Sequence, residues 1–131
     1  MYGKRSMVIT SYSLISQSYD EKLRSWDCRS PKRPVSEMAA GGGGVWRIKQ
    51  GPGGSASLLA LACMHGGFRV VDAEKSENVL HYAGHESLAY GVDWKTPDVL
   101  ASCSFYDHLL KVWRWSRQEA SGASPSFSHF S

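Results

Sequence analysis

The sequence predicts an all-β protein built from four-stranded sheets, a fragment of a β-propeller, and three observations carry that reading. A closing pattern recurs: residues 23–27 read Leu-Arg-Ser-Trp-Asp, residues 68–72 Phe-Arg-Val-Val-Asp and residues 110–114 Leu-Lys-Val-Trp-Arg. Trp26, Val71 and Trp113 take the same place, 45 and then 42 residues apart, a period that belongs to one propeller blade of four strands. Positions inside the period repeat as well. Asp20, His65 and Asp107 each lie six residues before the closing residue, and Pro52 and Pro97 are 45 apart. Finally, short runs rich in β-branched and aromatic residues fill each period, and turn residues punctuate them.

The elements follow in order. In a partial blade over residues 8–40, Ser13–Gln17 and Lys22–Trp26 flank a Tyr-Asp turn and read as second and third strands. A full blade over residues 41–83 holds Val45–Lys49, Leu58–Cys63, Phe68–Val71 and Val79–Tyr82. A third, over residues 84–117, holds Ala89–Trp94, Val99–Ser104 and Leu109–Trp115, and its last strand is expected to be missing. Pro31 and Pro34 mark a loop, and Gly41–Gly44 and Gly51–Gly54 are flexible connections around one strand. The Ser-rich stretch 118–131 is expected to be a disordered polar tail. His85 of the Gly84-His85 pair lies 28 residues before Trp113, the reach from the Gly-His of a WD repeat to its Trp. The fold class is therefore a WD-repeat β-propeller fragment of about two and a half four-stranded blades. Propellers close with about four to eight blades, so open sheet edges are expected at both ends. We expect the sequence to be the C-terminal part of a longer protein and poorly soluble alone.

Composition narrows the function classes. The chain has 131 residues, 42% of them hydrophobic, which suffices for a packed core. Net charge is +3, from 15 Lys and Arg against 12 Asp and Glu. The one tight basic pair, Lys32 and Arg33, sits among prolines, so no basic face argues for nucleic acid. Three widely spaced cysteines, Cys28, Cys63 and Cys103, form no Cys-x-x-Cys pair and fit a reduced, intracellular protein. The basic start is followed by no apolar stretch of signal-peptide or membrane-span length, so the cytoplasm is expected and no membrane partner. Neither a Gly-x-Ser-x-Gly elbow nor a His-Glu-x-x-His zinc motif occurs, and Gly41–Gly44 lacks the Lys-Ser/Thr of a phosphate loop. Cys63-x-His65 offers two metal ligands without a second pair at zinc-like spacing, so no metal and no cofactor is expected.

Two groups of residues could carry chemistry. His85, Ser102 or Ser104, Asp107 and Trp113 have the order of a WD-repeat hydrogen-bonded row across a blade, where buried polar groups satisfy one another. The same set superficially resembles a Ser-His-Asp triad, which would need an exposed nucleophile and oxyanion donors. The second group gathers at one rim. The turn after a blade's second strand and the connection into its first strand open on the same face. Cys63 and His65, Tyr106 and His108, and Trp46 and Arg47 therefore form a candidate binding rim, with His65 or His108 as a general base. Against this, Cys63 can simply pack as a small hydrophobe and His65 can replace the turn Asp. These patterns leave the catalytic residues open.

Several stretches go beyond the generic repeat: Ser-Tyr-Asp-Glu-Lys-Leu-Arg-Ser-Trp-Asp at 18–27, Gly-Gly-Val-Trp-Arg-Ile-Lys at 43–49, Ala-Cys-Met-His-Gly-Gly-Phe at 62–68, Tyr-Gly-Val-Asp-Trp at 90–94 and Ser-Cys-Ser-Phe-Tyr-Asp-His at 102–108. Together, over roughly residues 10–115, they resemble the C-terminal blades of the WD-repeat diphthine methyl ester hydrolase family of diphthamide biosynthesis. The resemblance implies hydrolysis of the methyl ester of methylated diphthine on eukaryotic elongation factor 2, with methanol as a product. Elongation factor 2 is then the implied partner. The N-terminal blades of that family have no counterpart in this sequence. The other reading, from the fold alone, is a non-catalytic scaffold that docks protein partners.

Overall fold

The computed structural model describes residues 7–10, 13–17, 19–40, 42–53, 57–116 and 126–130. Twelve strands follow one another: β1 (Met7–Thr10), β2 (Ser13–Gln17), β3 (Lys22–Asp27), β4 (Ser36–Ala39), β5 (Arg47–Gln50), β6 (Leu58–Ala62), β7 (Phe68–Asp72), β8 (Glu77–Tyr82), β9 (Ala89–Thr96), β10 (Val99–Ser104), β11 (Leu110–Ser116) and β12 (Ser126–Phe130). They make three antiparallel meanders of four strands, ordered β1-β2-β3-β4, β5-β6-β7-β8 and β9-β10-β11-β12. Among the described residues there is no helix longer than a single turn position. The architecture is all-β, as the repeat predicts, and consistent with a β-propeller fragment.

The outer sheets are more complete than the sequence suggests. β1 and β4 flank β2 and β3, giving the first sheet four strands. The third sheet, expected to lack its last strand, gains β12 from the segment expected to be a disordered tail. β12 pairs with β11 from Val112↔Phe130 to Ser116↔Ser126. The physical reason lies in alternation. Ser126-Phe127-Ser128-His129-Phe130 has a period of two with aromatic residues, and the free edge of β11 offers backbone donors and acceptors that a strand satisfies. The serines of this stretch mask that signal in the sequence.

The middle sheet shows why these residues make strands. Along β6 and β7 its side chains alternate between two buried faces, the period of a pleated strand. Ala60, Ala62, Phe68 and Val70 pack with Tyr82, Ala89, Val92, Leu100, Trp113 and Trp115 against the third sheet. Leu59, Leu61, Cys63 and Val71 pack with Leu23, Ala40, Val45 and Ile48 against the first. A sheet covered on both sides reads as the near-continuous apolar run Leu58-Leu59-Ala60-Leu61-Ala62-Cys63. The interface with the third sheet is anchored by Tyr82, whose ring stacks on Trp113 with centroids 4.2 Å apart and planes 17° apart. The indole N–H of Trp94 crosses the same boundary and donates to the Lys49 carbonyl at 2.9 Å.

Candidate functional site

A polar row lies inside the third sheet. Trp113 on β11 is fully buried, and its indole N–H donates to Ser102 Oγ on β10 at 3.0 Å. Ser102 Oγ is 2.9 Å from His85 Nε2, while His85 Nδ1 lies 2.9 Å from Ser104 Oγ and 3.3 Å from Asp107 Oδ2. Trp113 can only donate and an ionised Asp107 can only accept, which orders the protons between them. The row closes when the Ser102 hydroxyl donates to Nε2, and Nδ1–H and the Ser104 hydroxyl serve the carboxylate. This proton placement is assigned from hydrogen-bond closure. The Ser104 hydroxyl, then the Leu109 backbone N–H, then His85 hold the Asp107 carboxyl down at about 2. Gly84 explains how His85 gets in. A Cβ at residue 84 would overlap the Tyr82 hydroxyl, so only glycine lets the chain pass the Tyr82 ring. His85 then sits between Phe68 and Tyr82, with centroids 5.2 and 6.3 Å away. The Lys111 ammonium caps this approach by donating to the Gly84 carbonyl.

This row has the atom order of a Ser-His-Asp triad, but Ser102 is 1% exposed and already accepts the Trp113 N–H. A substrate carbonyl cannot reach that oxygen without opening the sheet interface. The arrangement ties the β8–β9 connection to β10, the β10–β11 turn and β11, and offers no nucleophile of its own at the surface.

The rim is built from three turns and two incoming connections. The turn between β6 and β7 bridges to the start of β9, with Met64 N–H donating to the Ala89 carbonyl at 3.2 Å and Ala89 N–H to the Met64 carbonyl at 2.9 Å. Trp46 N–H donates to the Ala62 carbonyl at 2.7 Å, which places Trp46 at the mouth of β5. The turn between β10 and β11 is held to the connection before β9: Phe105 N–H donates to the Leu88 carbonyl at 3.1 Å, and Tyr106 N–H to Ser87 Oγ at 3.1 Å. Gly44 is a close approach, since a Cβ there would lie 2.8 Å from Tyr19 Cδ1.

These turns bring five rings into a continuous line. Tyr19 meets Trp46 at 6.3 Å, Trp46 meets Tyr90 at 5.4 Å, Tyr90 meets Phe105 at 5.6 Å and Phe105 meets Tyr106 at 4.7 Å. Of the rim residues singled out in the sequence, Trp46 and Tyr106 are in this line. Arg47, His65 and His108 are exposed, and among the described residues no hydrogen bond, ion pair or ring contact reaches the His65 or His108 side chain. Cys63 is fully buried, its Sγ 3.9 Å from the Ala40 carbonyl, and burial pushes its thiol up to about 12. A thiol so raised is a poor nucleophile at neutral pH. Sequence reasoning missed Tyr19, Tyr90 and Phe105. A signal existed: Tyr19, Met64 and Tyr106 each lie seven residues before the closing Trp26, Val71 and Trp113. Among the described residues, no group of three or more His, Cys, Asp or Glu could hold a metal ion, and no helix is long and apolar enough to cross a membrane.

No protein-family model matches the chain. Curated proteins do. A Dictyostelium discoideum protein named "Diphthine methyltransferase homolog" is 38% identical over 112 residues, covering 73% of this chain and 30% of the relative. The Saccharomyces cerevisiae "Diphthine methyltransferase" is 35% identical over 125 residues, covering 77% of this chain and 32% of the relative. The Homo sapiens protein of that name is 40% identical over 88 residues, covering 62% of this chain and 19% of the relative. The chain thus spans less than a third of the length of these relatives.

Proposed function

Because the chain belongs to the diphthine methyltransferase family over the span it matches, we propose that it serves diphthamide biosynthesis as part of a methyl ester hydrolase. The reaction read here is hydrolysis of the methyl ester of methylated diphthine on elongation factor 2, in the cytoplasm. Water attacks the ester carbonyl, methanol leaves, and a carboxylate remains. The observation that carries this reading is the 38% identity to a protein named for diphthine across 73% of the chain. The exposed rim supports it by providing a surface where a modified side chain of a large protein can lie. In this reading His108, at the turn beside Asp107, or His65 at the turn between β6 and β7, is the general base that takes a proton from water.

The test is methanol release from elongation factor 2 carrying methylated diphthine, with this chain compared against a version extended to the relatives' full length. Release by the extended version supports hydrolysis. Release by neither removes it. The second reading, a non-catalytic docking propeller, is favoured by one specific observation: Ser102, the hydroxyl of the Ser-His-Asp set, is 1% exposed. It moves ahead if elongation factor 2 binds without turnover.

A further inference from the structure

We propose that two copies of this chain associate head to tail, the outer face of the third sheet in each seated on the outer face of the first sheet in the other. The proposal stands on how the sheets pack and is independent of the reaction read above.

The repeat supplies the comparison. Trp113, Val71 and Trp26 take one place in the three sheets, and their cross-strand partners are Leu100, Leu59 and Leu14. In two of the sheets a neighbour covers this pair. Trp113 and Leu100 are fully buried against the middle sheet, and Val71 and Leu59 against the first. In the first sheet Trp26 and Leu14 are only half-buried.

The opposite faces tell the same story. Phe68 opposite Ala62 and Val70 opposite Ala60 lie on the face of the middle sheet that the third sheet covers, and all four are buried. In the third sheet the register puts Leu110 opposite Cys103 and Val112 opposite Ala101 at the corresponding positions. There Leu110 is 71% exposed and the other three are half-buried. Val99, Leu110, Val112 and Arg114 line a groove along this face. Side chains of the type that fill a sheet junction stand open here, and a contiguous apolar patch marks an interaction site.

Each open face is one half of a junction that the molecule already makes. Between the middle and third sheets, the face with Phe68 and Val70 meets the face with Leu100 and Trp113. The third sheet carries the first kind of face unfilled, and the first sheet carries the second kind. A second copy therefore brings the complement to both. Contact between two unlike faces is heterologous, and it closes when the copies complete a ring. Two chains of three sheets each supply six, inside the range of about four to eight at which propellers close. Arg24 on the open face of the first sheet does not bar this packing. Opposite Ser16 it takes the place that Arg69 holds opposite Leu61 and Lys111 holds opposite Ser102, on the two faces already covered.

The experiment is sedimentation of the full chain over a concentration series, with indole N–H signals followed by NMR. The expected result is a species of twice the 14.5 kDa of one chain. The Trp26 signal should shift as it forms, while Trp113, already covered, stays put. Leu110→Asp and Leu14→Asp each put a carboxylate on one open face. Each alone should weaken association about tenfold or more, because a charge buried without a partner is costly. Mixed in equal amounts, the two variants should regain a dimer through the one junction in which neither face is altered. A chain that stays at 14.5 kDa at every concentration overturns the proposal and leaves the faces to further sheets of a longer chain. Association untouched by Leu14→Asp, or a mixture that stays apart while both variants keep the Trp113 signal of the folded chain, overturns the head-to-tail arrangement. Growth beyond two chains overturns the closed ring.

Discussion

In the third sheet Trp113 stands opposite Leu100, Ser102 stands opposite Lys111, and the tryptophan, serine, His85 and Asp107 share hydrogen bonds. In the middle sheet the equivalent residues are Val71 opposite Leu59 and Leu61 opposite Arg69, and that set is wholly apolar apart from the arginine. The blade register is the same while the chemistry is opposite. The first sheet lies between them. Trp26 is only half-buried, its indole donates to Ser16 Oγ at 2.8 Å, and Asp20 turns outward to Arg24 at 2.6 Å. The lesson is that burial decides what this position holds: a closed polar network or an apolar set where it is buried, and an open polar pair where, as at Trp26, it is half-exposed. At the buried position a lone polar side chain among apolar ones would strand a donor or acceptor, which costs more than a hydrogen bond contributes.

Changes that force a mixture test this, starting with the largest effect. Trp113→Ala should destabilise the fold by about 3–5 kcal/mol, because it opens a cavity beneath Tyr82 and ends the row. Trp26→Ala, from the half-exposed site, should cost clearly less. Urea melts of both variants decide this, and equal losses would break the distinction between the two sheets. Leu61→Ser removes buried apolar volume and puts a hydroxyl into the apolar sheet, and should cost about 2–4 kcal/mol by the same measurement. Ser102→Ala, the converse, leaves the Trp113 N–H unpaired and should cost about 1–3 kcal/mol.

Acid offers a gentler probe. Asp107 has its carboxyl held at about 2 by the Ser104 hydroxyl, the Leu109 N–H and His85. An unfolded aspartate titrates near about 3.9. A lowered folded value means stability is fully present above the unfolded one and is lost as pH falls from about 4 toward 2. Asp107→Asn should flatten that part of the thermal-stability profile, and an unchanged slope would remove the carboxylate from the row's energetics. The smallest effect on stability is expected for His108→Asn. His108 has φ +53°, a conformation asparagine accepts readily, and its exposed side chain makes the fold change by less than about 0.5 kcal/mol. In a full-length version the same substitution should lower methanol release if His108 is the base.

The repeat made the sheets legible. Period-two alternation fixes which face a strand buries, and β10 occupies Val99–Ser104 as read from the sequence. The residues of the polar row were legible for the same reason, since fixed offsets from Trp113 locate them. What alternation cannot reveal is which edge accepts a further strand. β12 was hidden in serines because its partner, β11, decides its state. The rim was half legible. Trp46 and Tyr106 follow from turn positions, whereas Tyr90 and Phe105 join them only because the β8–β9 connection and the β10–β11 turn are tied across by Leu88 and Ser87. Such contacts depend on ties between separate loops, which no local spacing encodes.

The Tyr82–Trp113 stack has an optical consequence. Two chromophores held nearly parallel at 4.2 Å in a rigid asymmetric setting couple their transition dipoles, so the junction of the middle and third sheets carries its own near-ultraviolet circular dichroism. That band disappears when fixed packing is lost even if the strands survive. It makes the union of these two blades a spectroscopic observable, separable from the folding of either one, and gives the natural protein a built-in gauge of how its blades come apart.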